Sequence, residues 1–228
     1  MKYFFFLLFF FFFLSFNLPA QKLPEDAWLW NTLSINKQLS RKWSLGVDEE
    51  LRLFDNMSRV NLFFTNVGAS YKLNKVFKFS LVYRFINKNQ DGEYYSQRHR
   101  LYIDIAYKKK VLRNLALAYR LRFQGQVRDY YSSDNGKDVE SYMRHKFDVL
   151  YTYKKYTPYL AAEFRFQFTN PGFSQANDLW DRARYYLGCN YDFNKKHSFG
   201  IYYMIQHDFN NQRMENDFTL GWQYTYSF

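Results

Sequence analysis

Residues 218–228 read Phe218-Thr219-Leu220-Gly221-Trp222-Gln223-Tyr224-Thr225-Tyr226-Ser227-Phe228. Large apolar or aromatic side chains alternate with small or polar ones up to the last residue. A period of two puts Phe218, Leu220, Trp222, Tyr224, Tyr226 and Phe228 on one face of an extended strand, and the polar set on the other. A helix of this composition would scatter the same side chains around its axis.

Upstream the period returns again and again. Phe199, Ile201, Tyr203 and Ile205 oppose Gln206 and Asp208. Tyr185, Leu187, Cys189 and Tyr191 oppose Arg184, Asn190 and Asp192, and Leu160, Phe164 and Phe166 oppose Glu163, Arg165 and Gln167. Leu115, Leu117, Tyr119, Leu121 and Phe123 oppose Arg120, Arg122 and Gln124. The segments around Phe147, Leu101, Phe79 and Val47 behave likewise. Many run about ten residues or more, long for a soluble sheet and suited to a tilted membrane strand. Backbone groups in lipid must be paired internally, so such a sheet has to close. The expected fold is therefore all-β: an antiparallel transmembrane β-barrel of about 10–12 strands. About eleven segments alternate, whereas single-chain bacterial barrels use even numbers. The odd segment is N-terminal. Residues 21–39 form a split strand or partly cross the lumen, or one segment is no separate strand.

The connections sort by length. Short polar links fall near Ser40-Arg41, Asn74-Lys75, Lys108 to Lys110, Lys154-Lys155 and Asn194 to Lys196. Longer polar stretches fall near Asp55 to Arg59, Asn87 to Tyr95, Asp129 to Val139, Thr169 to Leu179 and Asn210 to Asn216. Short periplasmic turns and longer extracellular loops are the habit of outer-membrane barrels.

At the other end, Met1-Lys2-Tyr3 is a short basic head, Phe4 to Phe16 is almost wholly apolar, and Asn17-Leu18-Pro19-Ala20 breaks a helix and ends on a small residue. That layout is a secretory signal peptide over residues 1–20, cleaved after Ala20, with the barrel domain at 21–228. The alternative, a membrane anchor, suffers from a short apolar run and the Pro behind it. With export, the expected location is the outer membrane.

Composition narrows the function. Apolar residues make up 47% and aromatics 23% of the chain, yet the mean hydropathy is −0.54, so the apolar residues are interleaved rather than massed. The net charge is +11. The arginines alternate with apolar residues on strands and the lysines gather in short turns, which does not describe a nucleic-acid surface. No nucleic-acid partner and no cofactor are expected; outer-membrane lipid is. Cys189 stands alone on an apolar face. His99, His145, His197 and His207 are scattered without metal-ligand spacing. His197-Ser198 and His207-Asp208 are neighbours on strands and point to opposite faces, so neither pair acts together. An enzyme is not expected; an outer-membrane hydrolase is the minor alternative.

The polar face carries the more specific pattern. Arg84, Arg98, Arg100, Arg120 and Arg122 point inward by register, as do Arg144, Lys146, Arg165, Arg182 and Arg184. They lie toward the long-loop ends of successive strands, as a basic belt near the outer mouth. Asp48, Glu50, Asp104, Asp148 and Glu163, with Asp192 and Asp208, share the interior. Two readings stay open. Acids and arginines pair into a salt-bridged polar filling of a closed structural barrel. Or uncompensated arginines line a narrow anion-favouring channel, serving small anionic solutes or acidic oligosaccharides.

Two resemblances complete the reading. The final strand, with Trp222, Tyr224, Tyr226 and a terminal Phe228, is similar to the signal by which the barrel assembly machinery recognises its substrates. Further, Trp28-x-Trp30, Lys42-Trp43-Ser44-Leu45 and Glu50-Leu51-Arg52 are followed by Tyr71-Lys72-Leu73 and Phe79-Ser80-Leu81-x-Tyr83-Arg84-Phe85. His99-Arg100-Leu101, Tyr119-Arg120-Leu121-Arg122, Arg144-His145-Lys146, Tyr159-x-x-x-Glu163-Phe164 and Arg184-Tyr185-Tyr186-Leu187-Gly188 complete the order. This resembles the domain-of-unknown-function-2490 family of outer-membrane barrels over nearly the whole mature chain. The resemblance implies a barrel and export, and no activity.

Overall fold

The computed structural model describes residues 25–90, 92–128, 139–169, 179–209 and 216–228. The signal-peptide segment 1–20 lies outside the described residues. Eleven strands follow one another: β1 (Glu25–Gln38), β2 (Trp43–Phe54), β3 (Arg59–Lys72), β4 (Phe77–Gln90), β5 (Tyr94–Lys110), β6 (Leu115–Arg128), β7 (Glu140–Tyr151), β8 (Tyr156–Thr169), β9 (Leu179–Asp192), β10 (His197–Asp208) and β11 (Asn216–Ser227). Each pairs antiparallel with the next, and β11 returns to β1, so the sheet is a closed barrel.

An odd strand number has one geometric consequence. In up-and-down order the first and last strands run the same way, so the closing pair must be parallel. β1 and β11 pair in parallel from Glu25↔Asn216 to Asn36↔Ser227. Residues 25–38 are thus a full wall strand, not a lumen crossing, and the even-number expectation is overturned. A parallel ladder is slightly weaker per residue than an antiparallel one. Here it is locked at the short-turn end, where the Gln38 N–H donates to the Phe228 carbonyl at 2.8 Å and the Phe228 N–H to the Asn36 carbonyl at 3.0 Å.

The links depart from the simple length sorting. Those at 39–42, 73–76, 111–114, 152–155 and 193–196 are all four residues long. Lys108 to Lys110, expected as a link, completes β5 instead. At the opposite end Asp55 to Arg59 shrinks to an equally short turn at 55–58, made possible by positive φ at Asp55, Asn56 and Met57. Asn87 to Tyr95 shrinks to 91–93, because both flanking strands extend into the polar stretch. The other three stretches lie largely outside the described residues.

The molecule is apolar outside. Leu33, Val67, Leu101 and Leu187 are 52%, 53%, 53% and 61% exposed, and each belongs to the outward set of its strand. Such a surface would associate in water; in a bilayer it is the lipid contact face. Aromatic pairs ring its short-turn edge: Trp43–Tyr71 and Tyr156–Tyr191 at 4.9 Å, Phe77–Tyr107 at 5.1 Å, Tyr226–Phe228 at 5.3 Å. Apolar exterior, aromatic girdle and closed sheet together make this a transmembrane barrel of the outer membrane.

Inside, two glycines give space to rings on neighbouring strands. A Cβ on Gly188 would overlap the Tyr159 ring, and one on Gly221 the Tyr202 ring. Ring and glycine interlock, which fixes how β8 meets β9 and β10 meets β11. We predict that Gly188→Ala and Gly221→Ala each destabilise the barrel by about 1–3 kcal/mol through overpacking. Gly125→Ala, with an ordinary 3.4 Å contact to Val139, should be neutral or slightly stabilising. Urea unfolding in lipid vesicles checks this; equal effects at all three positions would contradict the interlock.

Candidate functional site: the arginine-rich interior

The alternation of each strand delivers its polar residues to the lumen, and the register then decides which of them meet. Arg122 stands opposite Arg144, Arg144 opposite Arg165, and Arg165 opposite Arg182. Arg84 stands opposite Arg100, and Arg98 opposite Arg128. Like charges directly across a ladder repel, so these rows require carboxylates between them.

Most of the acids supply that charge. Arg122 makes a two-bond fork to Asp104, at 2.6 and 2.7 Å. Arg165 forks to Asp181 at 2.8 and 2.5 Å, and Arg182 forks to Asp208. Arg128 reaches Glu140 at 2.9 Å and Lys146 reaches Asp148 at 3.1 Å. One acid serves several cations: buried Glu163 takes Arg120 at 2.6 Å and Arg144 and Arg184 at 3.4 Å each. The belt is therefore not uncompensated as a whole, and it is broader than a single ring.

Compensation nevertheless fails locally. Among the described residues, no carboxylate lies within ion-pair distance of Arg84, Arg98 or Arg100. Arg84 donates through Nε to Asn66 at 2.7 Å, and Arg100 donates to the amide oxygen of Gln126. The Nε atoms of Arg98, Arg120 and Arg144 are buried with no acceptor among the described residues. Buried guanidinium donors without acceptors are costly, and an anion is what would relieve them.

Aromatic faces hold the guanidiniums flat along the β1–β6 wall. Arg52 lies 3.5 Å from the Trp30 ring centroid, Arg84 3.6 Å from Phe64 and Arg122 3.8 Å from Tyr102. This alternation of ring and guanidinium fixes the arginines by cation–π attraction. It also fills space. At the long-loop half, Arg84, Arg122, Arg144, Arg184, Glu163 and Gln124 are all buried.

The short-turn half differs because its inward residues are small. Ser44, Gly46, Gly68, Ser70 and Ser80 border a space of about 180 Å³ that reaches up to Asp104 and Arg122. Asn190, Asp192, Ser198, Gly200 and Thr225 border another of about 350 Å³. The interior is thus a polar vestibule below and a packed cationic constriction above.

Strict alternation misplaces one acid of this site. Asp181 neighbours inward Arg182, so strict alternation would aim it at lipid. A β-bulge between Arg165 and Phe166 skips it in the register and leaves it buried against Arg165. Arg52, Arg128 and Glu140 also belong to the network; Arg52 binds Glu50 at 2.5 Å. Conversely, Asp48 meets, among the described residues, the Asn66 amide at 3.1 Å rather than an arginine, and Asp192 is exposed at the short-turn end. The four histidines face outward. His99, His145 and His197 bond the hydroxyls of Tyr83, Tyr119 and Tyr224 at 2.6–2.7 Å, and His207 bonds Asn216. Trp222, Tyr224, Tyr226 and Phe228 lie on the outer side of the closing strand, where Trp222 stacks on Phe199. Among the described residues no cluster of three His, Cys, Asp or Glu side chains is placed to hold a metal.

We predict that Glu163→Gln, by stranding three arginines, lowers the unfolding free energy by about 3–5 kcal/mol. Asp48→Asn, which exchanges one partner of a single amide contact, should cost under ~1 kcal/mol. Denaturant midpoints in vesicles measure both; equal costs would contradict the shared-acid network.

Among solved structures, a NanC porin matches with a TM-score of 0.49 at 12% identity, over 80% of this chain and 81% of its own. A KdgM porin matches with 0.41 at 16% identity, over 77% and 81%. A KdgM porin in complex with disordered oligogalacturonate matches with 0.44 at 16% identity, over 78% and 82%. No curated protein matches. The model of the family described as "Protein of unknown function (DUF2490)" matches residues 28–218, and the chain belongs to that family.

Proposed function

We propose that this barrel is a narrow anion-favouring channel whose selectivity resides at Arg84 and Arg100. The observation that carries this reading is their pairing across β4 and β5 with no carboxylate in range among the described residues. Two guanidiniums facing each other in a water-poor lumen repel cations and offer forked donors to an oxyanion. The ligand class is small anionic solutes and the carboxylates of acidic oligosaccharides. An anion arriving from the vestibule exchanges with the carboxylates already bound there, moving along the wall by replacing one acceptor with another. In this reading the protein is not an enzyme. Residues 1–20 are the cleaved export signal, and the outward face of β11 is what the barrel assembly machinery engages before the strand closes against β1.

A second reading is favoured by the burial of Arg122, Arg144, Arg184 and Glu163. A half-lumen this full describes a closed structural barrel with a salt-bridged interior. Planar-bilayer recording separates the two. The channel reading predicts a steady conductance whose reversal potential under a KCl gradient favours chloride. The double variant Arg84→Gln/Arg100→Gln should shift that preference several-fold toward potassium while leaving Asp104, Glu163 and their partners intact. A folded, silent barrel would overturn the channel and leave the structural reading.

A further inference from the structure

Glu49 faces lipid. It sits between Val47 and Leu51 on β2, which are 40% and 37% exposed, and is itself exposed. Its inward neighbours Asp48 and Glu50 serve the lumen, so the strand's own alternation forces it outward. Trp43 marks the short-turn girdle on this strand. Six residues further on, Glu49 is about 20 Å along the strand, or roughly 14 Å in height at a tilt of ~45°, near the middle of a band about 25 Å tall. Among the described residues it is the one Asp, Glu, Lys or Arg on an outward position away from the strand ends.

An acidic group at that depth is expensive in hydrocarbon, and such residues mark functional contacts. Among the described residues, the Thr65 hydroxyl donates a hydrogen bond to it at 2.7 Å. Asn31 faces out on β1, diagonal to it across the Leu33↔Glu49 pair. Carboxyl, amide and hydroxyl form a small polar patch on the wall beside the β1–β11 seam. Leu33, Phe63 and Val67, at 52%, 42% and 53% exposed, surround it.

We propose that this patch is the centre of a dimer interface with a second copy of the chain. Two features select a second copy over another occupant. Two copies in one membrane share insertion depth and are related by an axis along the membrane normal, so Glu49, Thr65 and Asn31 of one meet the same three groups of the other at equal height. The set is also self-complementary: the Glu49 carboxyl accepts, while the Asn31 amide and the Thr65 hydroxyl each both donate and accept, so the donors of one copy meet the acceptor of the other, whereas an unrelated basic partner would find a hydroxyl and an amide with no further acid to pair. Polar groups shared between walls in lipid satisfy one another, and the apolar rim packs around them.

The test is disulfide trapping of the full barrel in lipid vesicles, in a Cys189→Ser background. Val47→Cys, beside Glu49, should form covalent dimers at low protein-to-lipid ratio. Leu187→Cys on β9 should not. Adding Glu49→Leu should reduce the Val47→Cys dimer at least ten-fold, and Glu49→Gln, which keeps an acceptor at this place, should restore it. Equal trapping at both walls, no trapping at Val47→Cys, or a dimer indifferent to Glu49→Leu would overturn the proposal. Heat-modifiable migration of each variant on gels verifies that the barrel has folded.

Discussion

Everything in this molecule depends on the need to pair backbone N–H and C=O groups where no water is present to accept or donate. A sheet in lipid can have no open edge. With eleven strands in up-and-down order, closure requires β1 and β11 to lie parallel. The weaker ladder is accepted because an unclosed edge would leave a whole strand's groups unpaired. The last carbonyl and N–H of the chain, at Phe228, take part in that closure. The aromatic C-terminus is therefore part of the seam as well as of the lipid face.

Closure also dictates the interior. Alternation that sends Leu101 and Leu187 outward sends the intervening arginines and acids into a lumen of modest width. At the short-turn half, serines and glycines leave room. At the long-loop half, long guanidinium side chains stacked on Trp30, Phe64 and Tyr102 occupy it. Desolvated charges are stable only when partnered, and the forks Arg122–Asp104, Arg165–Asp181 and Arg182–Asp208 meet that demand. Where it is not met, at Arg84 and Arg100, the proposed channel would hold an exchangeable anion. Under that proposal, selectivity and stability are two outcomes of one charge inventory.

The strands, their faces and the barrel were legible from residue spacing, because period two depends on each residue's neighbours alone. The inward direction of Arg84, Arg122 or Glu163 needed no more than that. What spacing does not carry is which strands meet, and at what register. Hence the arginines read as one belt, whereas the ladder sets Arg122, Arg144, Arg165 and Arg182 side by side with an acid for each. Asp181 was hidden by a bulge, which a one-residue insertion makes invisible to a parity rule. Polar residues also failed as markers of strand ends: Lys108 to Lys110 and Asn87 to Gln90 continue their strands, since ladder hydrogen bonds extend past the apolar band. Glu49, one polar residue on an apolar face, is easily passed over in an alternating segment; its depth became meaningful only once the girdles fixed the membrane position.

The parallel seam is the claim on which the rest stands. It is tested most directly by disulfide trapping within one chain, in a Cys189→Ser background, between outward residues that the register sets opposite each other. Leu33→Cys with Tyr224→Cys should close nearly completely in the folded barrel, while Leu33→Cys with Phe218→Cys, three pairs away on the same face, should not. Closure of the second pair in place of the first would contradict the parallel register, and with it the eleven-strand barrel described here.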